Sequence, residues 1–261
     1  MLKEQKNSTT KITRQRMLSV ALIAAVIVYL LWNVEELSFF AYPFRLFVTY
    51  VHEAGHSIMA LLTGGEIIKF SVSSNGAGLA ITSGGARYLI LPAGYLGAAF
   101  FGAALFYLLN TRPYVRTISI IMGIMLIVFT LMYAGLDPNG EPTAMLVGLL
   151  FGAGLIGMGW KLEQNINLLL LNVLAIMTAS NAILDIKYLT RTRSVNDAMC
   201  SRADGIAIND AAAFTCDVAR EIPPIIWAFL WMGIALGMIG AAVYYSTLRP
   251  ILDDVKVSRS E

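Results

Sequence analysis

The sequence predicts an all-α polytopic membrane protein of about seven transmembrane helices, with a small β-hairpin between spans two and three. Of its 261 residues, 57% are hydrophobic and 14% are charged, whereas a soluble domain carries about 25% charged residues. The apolar residues form runs of about 20, which match a hydrocarbon core about 30 Å thick. One stretch between two of these runs alternates apolar and polar residues, as a β-hairpin does.

The apolar runs predict one membrane domain over residues 17–246, between a basic tail (1–16) and a polar C-terminal tail (247–261). The predicted spans are residues 17–33, 39–63, 88–109, 117–135, 143–160, 166–186 and 224–246. The lipid bilayer is therefore a predicted partner. The net charge of +2, without a basic patch among exposed aromatics, gives no indication of a nucleic-acid partner.

The distribution of lysine and arginine predicts that the N-terminal tail is cytosolic. Seven alternating spans with this orientation place twelve of these residues inside and six outside, with Arg45 inside a span. The loop 187–223, which holds Cys200 and Cys216, would then be cytosolic, and its two thiols would stay reduced. If the topology is inverted, the loop faces the oxidising side and the two cysteines could form a disulfide. A disulfide between them would therefore argue against the predicted orientation.

Residues 64–87 predict the hairpin. Two segments rich in β-branched residues, near 66–73 and 78–83, are separated by Ser74-Asn75-Gly76. Asn-Gly is the strongest short hairpin signal.

The second span carries a metal-binding pattern, because the only two histidines of the chain, His52 and His56, lie four residues apart. On a helix this spacing puts both imidazoles on one face. Glu53, beside His52, can reach a water on a bound metal without being a ligand. Two histidines, one carboxylate and a water form a typical catalytic Zn²⁺ site, in which Glu53 serves as the general base.

Such a short pattern also arises by chance, but the membrane favours the functional interpretation. A charged residue at the centre of a spanning helix costs about 2.5–3.5 kcal/mol or more. A buried glutamate beside two histidines therefore needs a compensating partner, which a divalent cation supplies.

The motif His52-Glu53-Ala54-Gly55-His56, followed by a glycine-rich hairpin, resembles the site-2 protease family of intramembrane zinc metalloproteases. "LLTGG" and "PAGYLG" resemble a compact branch of that family, and later stretches resemble it more loosely: "NAILDI", "INDAAAF" and "IPPIIWAFLW". The resemblance covers most of residues 35–235. It implies hydrolysis of membrane-spanning protein substrates and a third, acidic zinc ligand on a later helix.

Three acids compete for the role of third ligand. Asp185 is favoured, because it lies at the end of the sixth span, in the same predicted half of the membrane as His56. Alternatively, Asp185 is an acid at the membrane interface that pairs with Lys187. Asp137, in "LDPNG", reads more simply as part of a turn. Asp210 is the third choice.

Three further residues are predicted to serve the substrate. Asn181, one turn before Asp185, could orient a ligand, hold a substrate carbonyl or join two helices. Ile68 and Val72 lie on the first predicted strand, whose free edge could pair with an extended substrate segment. Gly94 and Gly97 belong to a small-residue face that is predicted to let a neighbouring helix pack closely, against Gly55, and that has no assigned chemistry.

Two other functions remain possible on the sequence alone. A catalytically silent relative would bind membrane proteins without turnover, but His52, Glu53 and His56 are all intact. A metal or ion transporter would use the same residues in transit. Transporters commonly show inverted repeats or paired broken helices, which the sequence does not display.

Overall fold

The computed structural model describes residues 2–135, 142–192, 194–196, 200 and 209–250, and for residues 2–17, 182, 186 and 187 it describes the backbone only. The chain is mainly helical. Its elements, in order, are α1 (Leu2–Asn33), α2 (Ser38–Leu62), β1 (Glu66–Val72), β2 (Gly78–Ser83), α3 (Arg87–Thr111), α4 (Val115–Phe129), α5 (Thr143–Lys161), α6 (Gln164–Ala179), α7 (Asn181–Leu184), α8 (Ile186–Leu189), α9 (Asp210–Asp217) and α10 (Pro224–Val243). A π-helical turn extends each of α4 and α10, over Thr130–Ala134 and Tyr244–Leu248.

Each of the seven predicted spans contains a helix, but fewer than seven qualify as membrane-crossing by length and composition. Among the described residues, the helices that do are Arg87–Thr111, Val115–Ala134, Thr143–Lys161 and Pro224–Leu248. Helix α6 is shorter, with 16 residues. Helices α1 and α2 are bent by 103° at a short break, so together they form either a broken span or a re-entrant segment. The structure thus supports an apolar helical protein, and the count of seven spans stays a prediction.

The predicted hairpin is confirmed. Strands β1 and β2 pair antiparallel, with a register shift between Ile67 and Lys69. The turn uses Gly76 at a φ of +90°, a conformation that favours glycine. Two side chains of α2 bind the turn, because Tyr42 Oη donates to the Ser74 carbonyl at 2.6 Å and Thr49 Oγ1 donates to the Gly76 carbonyl at 3.0 Å. The hairpin is therefore fixed to the helix that carries the histidines.

The predicted close packing between the second and third spans is also confirmed. A Cβ added to Gly55 of α2 would lie 2.3 Å from the Ala93 carbonyl oxygen and 3.3 Å from the Gly94 Cα on α3. Only glycine allows the two backbones to approach in this way. The histidines of α2 are thereby held against α3.

The sixth predicted span, 166–186, is interrupted. Helix α6 ends at Ala179, and the short helices α7 and α8 follow it, with Asp185 between them. The chain then returns at α9, where the Asn209 side chain caps the helix by accepting from the Ala212 N–H at 2.9 Å. Phe214 packs α9 against Trp231 of α10. The acid at the start of α9 is thereby brought back to the helix bundle.

Cys200 and Cys216 are joined in a disulfide. This pairing contradicts the expectation that both thiols stay reduced, and it is the outcome expected if the loop between α8 and α10 does not face the cytosol. Asp137 of "LDPNG" lies outside the described residues.

Candidate metal centre

Three ligand-type atoms meet between α2 and α9. The Nε2 atoms of His52 and His56 are 3.2 Å apart, and Asp210 Oδ2 lies 3.1 Å from the first and 3.4 Å from the second. Four ligands at typical Zn–N and Zn–O distances would form a tetrahedron with edges of about 3.4 Å. The three observed separations are close to this edge, so the trio fits one face of a zinc site.

When both imidazoles are neutral and protonated on Nδ1, all three of these atoms are hydrogen-bond acceptors. His56 Nδ1 lies 2.7 Å from the carbonyl oxygen of Ile90, which can only accept, so Nδ1 carries a proton, and in the neutral ring Nε2 then has a free lone pair. The Asp210 carboxylate is likewise an acceptor when ionised. Acceptors that converge on one point repel each other unless a cation lies between them. The donor set therefore fits a divalent metal ion.

Gly94 of α3 leaves space beside the histidines. A Cβ added there would lie 2.4 Å from Nε2 of His56 and 2.5 Å from Nε2 of His52. Any larger residue would thus occupy the volume next to the two ligand atoms. The sequence assigned no chemistry to Gly94, and its proximity to the histidines depends on the packing of α2 against α3.

The structure brings Asp210, and not the predicted Asp185, to the histidine pair. Asp185 acts on His52 electrostatically, but among the described residues the group able to share one ion is His52, His56 and Asp210. The prediction assumed a continuous helix through residue 186, whereas the helix breaks after Ala179. The sequence "INDAAAF" contains a signal for Asp210: an asparagine of the type that caps helices directly precedes the acid, which predicts that Asp210 begins a helix.

The Asp210 carboxyl is held in its ionised form. Desolvation acts to raise its pKa, but the charge of a protonated His56 and hydrogen bonds from His52 and His56 outweigh that effect and hold the pKa well below its usual range. A bound cation would supply that positive charge in place of the imidazole protons. An ionised carboxylate is the form that binds a metal.

Asn181 lies beside the other nitrogen of His52, with its side-chain amide 3.4 Å from Nδ1. If Nε2 faces a metal, Nδ1 carries the proton and needs an acceptor. The amide oxygen of Asn181 supplies that acceptor when the amide is turned by 180°. The position of Asn181 therefore fits a residue that orients the His52 ring, one of its predicted roles, better than a residue that contacts a substrate carbonyl.

Glu53 is buried, and the second strand covers it. The Ala80 N–H donates to its carboxylate, and a Cβ added to Gly78 would lie 2.3 Å from Glu53 Oε1. The register pairs Ala80 with Phe70 and Gly78 with Val72, and these are pairs that direct their backbone groups away from the partner strand. The outer edge of β2 therefore faces the site.

Ile68 and Val72, two of the three predicted substrate residues, lie on the other strand, β1. Val72 is fully buried in the core with Tyr50 and Phe70, and Ile68 is half-exposed beside the register shift. The strand edge that approaches Glu53 thus belongs to β2 and not to β1. Which strand edge lies beside Glu53 follows from the register, which the hairpin pattern alone does not specify.

Tyr95 completes the surroundings of His52 and was not singled out by the sequence. Its ring centroid lies 4.4 Å from that of the imidazole in an edge-on contact, and its other side stacks on Trp231. Tyr95 thereby connects the metal-facing side of α3 with α10.

Comparison with known proteins gives one family. The family model described as "Peptidase M50B-like" matches residues 20–242, a range that contains α2, the hairpin and α9. No curated protein and no solved structure matches the chain.

Proposed function

Because the chain belongs to the Peptidase M50B-like family, we propose that it is an intramembrane zinc metalloendopeptidase that hydrolyses peptide bonds of membrane-spanning protein substrates. The observation that carries the proposal is the convergence of three possible ligand atoms, from His52, His56 and Asp210, within 3.4 Å of one another. Glu53, one residue from His52, is a carboxylate beside that group and outside it.

In the proposed site, Nε2 of each histidine and Oδ2 of Asp210 hold the metal. The two imidazoles are neutral and the carboxylate carries one negative charge, so the trio lowers the charge of a divalent cation in a low-dielectric setting. When bound, Zn²⁺ supplies an acidified water and a Lewis acid for the scissile carbonyl. The Ile90 carbonyl and the Asn181 amide fix the ring orientation of His56 and His52.

Glu53 is the general base and acid. Its carboxylate accepts a proton from the attacking water and delivers that proton to the nitrogen of the departing amine, so the base is regenerated. The Ala80 N–H holds the carboxylate during both transfers. Because Gly78 has no side chain, the strand can lie against Oε1 without displacing it.

We assign substrate positioning to the outer edge of β2. A spanning substrate is helical, so its peptide bonds become accessible only when a segment unwinds. An unwound segment could exchange its helical hydrogen bonds for ladder bonds along this edge, in the manner of β-strand addition. Lipid offers no substitute for these bonds, so the edge must be sheltered by protein or lie at the interface.

The experiment measures zinc content and cleavage together, in purified wild-type protein and in Glu53→Gln, with a transmembrane peptide as substrate. We expect about one zinc per chain in both proteins, and a loss of cleavage of about 10²–10⁴-fold in the variant. Loss of zinc in Glu53→Gln would contradict the role of base. A wild-type protein that binds zinc without cleaving any of a panel of transmembrane peptides would favour the silent relative, and zinc flux through reconstituted vesicles would favour the transporter.

A further inference from the structure

The three proposed ligands differ in how firmly the fold holds them. His52 and His56 lie on α2, a helix of 25 residues that packs closely on α3 through Gly55. Asp210 begins α9, which has only 8 residues. A helix of this length is unstable alone, so its position depends on its attachments.

One of those attachments is covalent. Cys216 lies on α9, six residues after Asp210, and its disulfide to Cys200 closes a ring of chain that contains Asp210. The other attachments are non-covalent: α9 packs through Ala211, Ala213 and Phe214 on the core formed with α3 and α10. Asn209 donates to Thr192 Oγ1 at 3.3 Å, and Arg87 Nε forms an exposed ion pair with Asp217 at 2.7 Å. An exposed ion pair contributes little to stability.

We propose that the Cys200–Cys216 disulfide positions Asp210 for metal binding, so that the site reaches its full zinc affinity only when the loop is oxidised. The proposal rests on the zinc site proposed above. A cross-link restricts the conformations open to the chain it encloses, and the enclosed chain here includes the one ligand that is not on α2. Reduction would leave His52 and His56 in place and release Asp210.

The bond forms by thiol–disulfide exchange. The two thiols lose two protons and two electrons, which pass to the disulfide of an oxidised thiol oxidoreductase or of a small-molecule thiol, and that acceptor leaves as two thiols. Such acceptors are abundant on the exported side of a membrane and scarce in the cytosol. The loop between α8 and α10 therefore faces the oxidising side.

This location is compatible with a cytosolic N-terminal tail if the bent pair α1–α2 crosses the membrane once. The bend of 103° is consistent with a single broken span. Every segment after the pair then changes side relative to the seven-span prediction. Eleven basic residues are then cytosolic: Lys3, Lys6, Lys11, Arg14, Arg16, Arg112, Arg116, Lys161, Arg249, Lys256 and Arg259. Seven are then external: Lys69, Arg87, Lys187, Arg191, Arg193, Arg202 and Arg220. The positive-inside bias is kept.

The test measures the zinc dissociation constant of the full-length protein in detergent by competition with a chelator. Wild-type protein is compared before and after reduction by a water-soluble phosphine, which takes up the oxygen of water and becomes a phosphine oxide. We expect reduction, Cys200→Ser and Cys216→Ser each to weaken zinc binding by about 10–100-fold, the range typical for lost support of a ligand. Arg87→Gln, which breaks the exposed ion pair between α3 and Asp217 of α9, should weaken zinc binding less.

Two outcomes separate positioning of Asp210 from general destabilisation. In an Asp210→Asn background, reduction should not weaken the residual zinc binding further, whereas general damage to the fold would weaken it equally. A wild-type protein that keeps its zinc affinity after complete reduction overturns the inference and leaves the proposed function standing. A wild-type protein that binds no zinc overturns both.

A second measurement tests the membrane side. In right-side-out vesicles, a membrane-impermeant maleimide should label Cys200 and Cys216 only after reduction. Labelling without reduction, or labelling only in inside-out vesicles, would contradict an oxidised external loop.

Discussion

The carboxylate oxygen Oδ2 of Asp210 lies 3.1 Å from Nε2 of His52, although the two residues are 158 positions apart in the sequence. The contact joins the start of a short helix to the middle of a long apolar one. It supplies the acid that the histidine pair lacks, and it makes Asp210 the proposed third ligand.

Asp210→Asn should therefore lose the tightly bound zinc and keep only the weak affinity of the two histidines, and Asp185→Asn should keep tight binding. The amide keeps the shape of the side chain but removes the negative charge and one strong ligand atom, so both zinc and peptidase activity should fall. Zinc stoichiometry of the two purified variants, measured by elemental analysis, decides between the acids. Full zinc in Asp210→Asn together with an empty site in Asp185→Asn would return the role to the acid that the sequence favoured.

The choice between these acids shows which part of the site the sequence could predict. The proximity of His52 and His56 is predictable from one helix, because a spacing of four residues puts both on one face without reference to the rest of the chain. Glu53 is their neighbour on the same helix. The hairpin follows in the same way from Asn75-Gly76 and from alternation on either side of it. These local patterns predicted the helix and the hairpin that the structure contains, and the roles of the three motif residues stay a prediction.

Non-local contacts account for the differences between the predicted site and the geometry of the folded chain. Asp185 was favoured because an apolar run was taken to be one helix up to residue 186, whereas Ser180 interrupts it. Composition does not reveal that interruption, and it does not reveal that α9 packs back against α3 and α10. The roles of Gly94 and of the β2 edge also depend on tertiary contacts, so they appear only in the folded chain.

Gly94→Ala should weaken zinc binding strongly, because the new Cβ would lie 2.4–2.6 Å from the His56 and His52 rings. The helix backbone cannot withdraw without disturbing the close packing of α3 on Gly55, so the rings must move away from each other. Gly97→Ala, on the same helix, is the matched control. Its Cβ would meet only the Gly55 Cα, at 3.4 Å, which is an ordinary contact. Equal zinc affinity in the two variants would show that the space beside the histidines has no role in metal binding.

Ala80→Pro should reduce cleavage far more than zinc binding. Proline removes the N–H that donates to Glu53 and interrupts the outer edge of β2, but it touches none of the three proposed ligands. Ala80→Gly keeps the N–H and serves as the control. The sequence alone predicts that proline at Ile68 or Val72 of β1 also reduces cleavage more than zinc binding. Rates for all four variants, each normalised to bound zinc, distinguish the two strands.

Asn181→Leu tests whether this amide orients His52 or holds the substrate. Leucine is similar in size but offers no acceptor to Nδ1 of His52, which lies 3.4 Å from the asparagine amide. If Asn181 orients the ring, zinc affinity should fall by about 10–100-fold, as is typical when the partner of a ligating histidine is lost. Asn181→Asp restores an acceptor at the same position and should recover zinc binding. A role in holding a substrate carbonyl gives the opposite pattern, because that carbonyl needs a donor. Zinc affinity would then be normal in both variants, KM would rise in both, and the aspartate would bring no recovery.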